Sequence, residues 1–166
     1  MEREYRPVLI SRRGEAIAWG LATLVVGTWA ALGFLGRPVS AAVPLLAIAL
    51  LLSALSISLG NWMDRRTRIH LAANGLDFEN GLRRVHLDWG QIRQVKILPG
   101  RWGKKVQVLG ERAYFQFNTL GEVRLQGVLK GRVGFELGDE ILQRIIEQGH
   151  LRLLQSAASG TTYGRA

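Results

Sequence analysis

Residues 16–62 read AIAWGLATLVVGTWAALGFLG, then Arg37, then PVSAAVPLLAIALLLSALSISLGNW, and Arg37 is the only charged side chain among these 47. The other 119 residues carry 34 charges, an asymmetry that argues against one soluble globule. Residues 16–36 form an uncharged run of 21, which as a helix spans ~31 Å and matches the hydrocarbon thickness of a bilayer. Residues 38–62 form a second run of 25. Gly36-Arg37-Pro38 breaks the helix between them. So short a link makes the two spans antiparallel, a helical hairpin. Pro44 falls in the first turns of the second span, where a missing N–H costs little. The alternative is a buried hairpin of a soluble protein, but soluble helices normally show a polar face and these show none.

Small residues recur along both spans. Ala16, Gly20, Thr23, Gly27 and Ala31 mark one face of the first, and Ala49, Ser53, Ser56 and Gly60 one face of the second. Such stripes let backbones approach in lipid, either between the two helices or against another membrane protein, although Gly and Ala are also simply common there. Trp19 and Trp62 lie near the span ends on one side, where indole rings favour the interface. Arg3, Arg6, Arg12 and Arg13 precede the hairpin and Arg65, Arg66 and Arg68 follow it. The positive-inside rule therefore places both termini in the cytoplasm and Arg37 outside, and the expected location is the inner (cytoplasmic) cell membrane. Ser11-Arg12-Arg13 and Val39-Ser40-Ala41 resemble parts of a cleaved export signal. Glu15 stands where that signal wants an apolar residue, and a second span follows directly.

Beyond residue 65 the period changes from helix to strand. Residues 67–71, 76–79 and 84–87 alternate apolar and polar and are separated by Asn74-Gly75 and Asn80-Gly81, which predicts a three-stranded meander. Residues 88–92 form a corner or single helical turn. Further strands are expected at 93–98, 105–109, 113–118 and 123–129, about seven in all. Asp139-Glu140 followed by Ile141, Leu142, Ile145 and Ile146 at helical spacing predicts a closing helix that stops at Gly149. After Gln155 the chain reads SAASGTTYGRA, small and polar without periodicity, and residues 153–166 are expected to form a flexible tail. The organisation is thus an N-terminal segment 1–15, spans 16–36 and 38–62, a mainly-β domain 65–152 and the tail.

Arg68, Leu71, Asn74-Gly75-Leu76, Asn80-Gly81-Leu82-Arg83-Arg84, Leu87, Trp89, Ile92 and Val95 form a pattern that resembles the bacterial PH-like domain family, over roughly residues 65–152. Trp89 followed by the Ile92 and Val95 strand is its most distinctive part. The resemblance implies a strongly bent sheet or barrel of seven strands, capped at one end by a helix. It supplies no catalytic residues. Phosphoinositide-binding PH domains carry cations between their first two strands, whereas this chain has Ala72-Ala73-Asn74-Gly75 there.

Chemistry is sparse. The absence of Cys excludes disulfides, thiolate nucleophiles and Cys-based metal sites. His70 and His86 lack a well-placed carboxylate for a metal, and Ser53, Ser56 and Ser58 have no partner base. No catalytic, cofactor or metal residue is therefore expected. The informative residues are cations. From Arg65 onward there are 17 Lys and Arg against 9 Asp and Glu. They gather at Arg65, Arg66 and Arg68, at Arg83 and Arg84, and at Arg101, Lys104 and Lys105 around Trp102. Beside a cytoplasmic leaflet each cation gains ~1 kcal/mol from anionic lipid. Nucleic acid, the other acidic partner, is not expected, because no recognition helix or stacking platform is evident. The sequence thus points to a membrane-anchored, non-catalytic binding or scaffolding module, with anionic headgroups or a membrane or cytoplasmic protein as partner. The alternative is an accessory subunit of a larger membrane complex, docked through the hairpin.

Overall fold

The computed structural model describes residues 3–9 and 11–165. The chain forms two units, one of Ser11–Met63, the other of the residues before Ser11 together with those from Asp64 onward.

The first unit is the hairpin. Helix α1 spans Arg13–Phe34 and helix α2 Ala42–Arg66, and both are long and apolar enough to cross a membrane. α1 ends where Gly36 takes a positive φ of 64° and the Arg37 N–H donates to the Leu32 carbonyl. α2 begins four residues later than the uncharged run, because the Ser40 carbonyl and hydroxyl accept from Val43 and Ala42 N–H and hold Pro38–Ser40 outside it. The fully buried residues of the pair are Ala22 on α1 and Ala47 and Ala54 on α2. At ~100° per residue, Glu15, Trp19 and Ala22 share one face of α1, and Ala47, Ala54, Ser58 and Asn61 one face of α2. The expected packing residues lie elsewhere. Gly20, Gly27 and Gly60 have no neighbouring atom within 4 Å of a would-be Cβ. Ser53 and Ser56 are exposed and donate back to the carbonyls of Ala49 and Leu52. The small-residue stripe therefore faces away from the seam, displaced from it by more than 90° around each helix.

The second unit is mainly β, with three sheets. The first has the order β1-β2-β3-β4, with β1 at Arg3–Tyr5, β2 at Thr67–Leu71, β3 at Gly75–Asn80 and β4 at Arg84–Asp88. A 3-10 turn at Trp89–Gln91 leads into β5 (Ile92–Pro99), β6 (Lys104–Gly110) and β7 (Tyr114–Asn118). A two-stranded sheet follows, β8 (Gly121–Leu125) with β9 (Val128–Val133), then helix α3 (Gly138–Gln148). Finally β10 (Arg152–Ala157) and β11 (Gly160–Gly164) join the second sheet, whose order is β10-β11-β5-β6-β7.

The core follows from strand alternation. Ile69 lies opposite Phe78 and Phe78 opposite Val85, while Leu71, Leu76 and Leu87 form the next row. In the second sheet Val95, Val108 and Phe115 form one row and Ile97, Val106 and Phe117 another. Phe78 stacks on Phe115 at 4.9 Å and joins the sheets. Ile141, Leu142 and Ile145 of α3 are buried in the same core. Trp89 is only half-buried; its indole N–H reaches the Ala72 and Ala73 carbonyls at 3.2 and 3.1 Å.

Five expectations change. The N-terminal segment is not separate from the β domain, since β1 pairs with β2 and the Tyr5 hydroxyl donates to Glu140 of α3 at 3.0 Å. Residues 123–129 are not one strand, because Gln126 and Gly127 take φ of 51° and 80° and turn the chain back, as a two-residue hairpin requires. The expected tail 153–166 is not loose over its described residues, 153–165: β11 pairs with β5 from Thr161–Ile97 to Gly164–Gln94, and Tyr163 packs against the core. Lastly, the strands divide among three sheets, and no barrel closes among the described residues. Asn74-Gly75 also differs from a two-residue turn. Gly75 lies within β3 opposite Asp88 of β4, and the position needs glycine because a Cβ there would strike the Leu87 backbone carbonyl.

Candidate functional site

The cations expected to contact lipid or a partner fall in three places. Where α2 runs directly into β2, Arg65, Arg66, Thr67 and Arg68 line a cavity of about 230 Å³. Arg6, which follows β1, and Glu79 of β3 complete its wall. Arg68 is held by Glu79, its Nε and Nη2 at 2.9 and 2.6 Å from one carboxylate oxygen, which raises the already high guanidinium pKa. Arg6 is held by Glu4 at 2.7 Å, and that hydrogen bond holds the Glu4 carboxyl below its ordinary range. Arg84 lies opposite Glu79 and lines a neighbouring cavity of about 220 Å³ with Glu4, His70 and Asp77. Arg65, Arg66, Arg68 and Arg84 thus belong to one surface, to which Arg6 is an addition.

Arg83 is separate. It lies 4.6 Å over the ring of Tyr114. The third place is the β5–β6 loop. Arg101 stacks over the half-exposed Trp102 at 5.5 Å, and Lys104 pairs with Asp139 of α3 at 3.1 Å. This loop is held firmly, because the Lys104 N–H donates to the buried Thr119 hydroxyl and the Thr119 N–H to the Lys104 carbonyl.

His70 and His86 lie on β2 and β4 with Asp77 between them on β3. His86 meets Asp77 at 3.1 Å and Asp88 at 3.3 Å, and the Asp77 hydrogen bond raises its pKa. Among the described residues no group of three or more His, Asp and Glu is arranged to hold a metal.

One polar cluster went unread in the sequence. Glu15 of α1 accepts from the Ser58 hydroxyl at 2.7 Å and from the Asn61 amide at 2.8 Å, and the Trp19 indole donates to Ser58 at 2.8 Å. These four side chains join the two helices on the faces that also bury Ala22, Ala47 and Ala54. The available signal was a lone carboxylate beside an apolar run, with Ser58 and Asn61 three residues apart on the antiparallel partner. No protein-family model, no curated protein and no solved structure matches the chain.

Proposed function

We propose that this protein is a membrane-anchored, non-catalytic binding or scaffolding module, with a PH-like β domain on the cytoplasmic face of the inner membrane. The observation that carries the reading is the surface where α2 passes into β2, which lines a cavity with Arg6, Arg65, Arg66 and Arg68 directly after an apolar helix. A juxtamembrane arginine surface of this kind attracts anionic headgroups. The topology has a second support. β1 precedes α1 and β2 follows α2, yet they pair residue for residue, which requires both flanks of the hairpin to lie on one side of a bilayer. The arginine asymmetry assigns that side to the cytoplasm. The PH-like reading rests on the meander, the Trp89-to-Val95 pattern and the buried α3. The extra β8–β9 and β10–β11 hairpins depart from it.

Gentle detergent extraction of the full chain, followed by native mass spectrometry, tests the reading. Anionic phospholipid should co-purify above its share of the membrane, and Arg6→Gln with Arg65→Gln and Arg66→Gln should abolish the enrichment. Bulk lipid composition in both proteins would overturn it. A second reading, an accessory subunit of a larger complex, draws on Gly20, Gly27 and Gly60 facing outward. It predicts that the same extraction yields a defined high-mass assembly.

A further inference from the structure

The β8–β9 hairpin stands apart from the two larger sheets of the β domain. It forms a sheet of its own, and two-stranded hairpins are marginal in water without a covering surface. Its tip reads Leu125-Gln126-Gly127-Val128-Leu129, and Val128 and Leu129 are 57% and 46% exposed. Alternation cannot hide these two, because adjacent residues point to opposite faces of the hairpin. Exposed Arg124 and Arg132 flank the tip, and Glu122 pairs with Arg124 at 2.8 Å. With Lys130 the hairpin carries net positive charge.

The foot of the hairpin lies against the β5–β6 loop and the segment that follows β1. At its start, a Cβ on Gly121 would collide with the Trp102 backbone, so the basic Arg101–Trp102 loop abuts β8. At its end, the Gly134 carbonyl accepts from the Val8 N–H at 2.8 Å. Five residues later α1 begins at Arg13, a reach of at most ~18 Å of extended chain. The hairpin is therefore rooted between a half-exposed indole with a stacked arginine and the segment that enters the apolar helix.

We infer that the β8–β9 hairpin is a second membrane contact, its Val128–Leu129 tip entering the interfacial region of an anionic leaflet while Arg124 and Arg132 engage headgroup phosphates. Apolar side chains with basic neighbours suit that boundary, where apolar area and anionic attraction add. The inference rests on the membrane-anchored reading above.

The chain has no native Cys, so single cysteines report cleanly. Full-length Val128→Cys, carrying an environment-sensitive fluorophore, is reconstituted in nanodiscs of equal parts phosphatidylcholine and phosphatidylglycerol. Leu24→Cys on α1 and Ser159→Cys at the β10–β11 turn serve as references. Shallow-doxyl lipid should quench the Val128 probe and leave the Ser159 probe unaffected, and deep-doxyl lipid should quench the Leu24 probe. Val128 quenching should fall at least several-fold in phosphatidylcholine alone or at high salt. An unquenched Val128 probe beside a quenched Leu24 probe overturns the hairpin contact and leaves the anchor intact. An unquenched Leu24 probe overturns the anchor, and this inference with it. Equal Val128 quenching with and without phosphatidylglycerol overturns the anionic assignment. A blue-shifted but unquenched Val128 probe assigns the tip to protein instead.

Discussion

Ile145→Ala removes three carbons from a side chain with no exposed surface, at the centre of the buried stripe of α3. Transfer of three buried carbons costs ~2.4 kcal/mol at ~0.8 each. The space they leave, ~80 Å³, adds up to ~2 kcal/mol if the surroundings do not relax. Partial collapse puts the loss at about 3–4 kcal/mol. For a domain of this size that is a fall in Tm of roughly 10–16 °C. The assay is thermal unfolding of the full chain in detergent, followed by near-ultraviolet circular dichroism. Gln148→Ala, on the exposed face of the same helix, is the reference and should stay within ~0.5 kcal/mol of the parent protein. If Ile145→Ala matches Gln148→Ala, α3 does not seal the core and the packing described here is wrong.

Truncation after Leu151 removes the β11 ladder on β5 and the Arg165 side-chain bond to the Trp89 carbonyl. It should lower Tm sharply or cause aggregation, and an unchanged melting curve would restore the reading of a loose tail. Tyr5→Phe removes the hydrogen bond to Glu140 while keeping the ring, and should cost about 0.5–1.5 kcal/mol by chemical denaturation. His86 has a raised folded pKa, so its contribution is fully present below its unfolded pKa of about 6.5 and lost as pH rises through the folded value. The Tm difference between the parent and His86→Gln should therefore be larger near pH ~5.5 than at pH ~9. A difference independent of pH would contradict the Asp77 pairing. Ser58→Ala removes the Ser58 bond to Glu15 and the Trp19 bond to Ser58, leaving only Asn61 on Glu15, and should lower the temperature at which the hairpin loses helicity in detergent.

The meander was legible because Ile69, Leu71, Leu76, Phe78, Val85 and Leu87 alternate strictly with polar residues, and one face of each strand meets the core. The closing helix was legible for the same reason at a period of 3.6. Elements whose stability comes from a partner strand were not. Ser156–Gly164 has no apolar alternation, and its order comes from the exposed edge of β5. β1 has only three residues and depends on the β2 edge and on Glu140. At 123–129, an apolar pattern ran across Gln126-Gly127 and hid a turn that needs positive φ at both positions. The arginines were readable as a set, but their sorting was not. Arg6 joins Arg65 and Arg66 only because β1 pairs with β2, and Arg83 leaves Arg84 because neighbouring residues point to opposite faces. The Glu15 cluster depends on the register of two antiparallel helices, which no single helix encodes.

In the proposed topology an apolar hairpin crosses the membrane and the β domain lies on the cytoplasmic side. Single cysteines at Ser40, in the turn between α1 and α2, and at Ser159, in the β10–β11 turn, test it in intact cells with a membrane-impermeant maleimide. Ser40→Cys should label in intact cells, and Ser159→Cys should label only after the membrane is permeabilised. Labelling of Ser159→Cys but not Ser40→Cys in intact cells would contradict the orientation, and recovery of the chain in the soluble fraction would contradict the anchor itself.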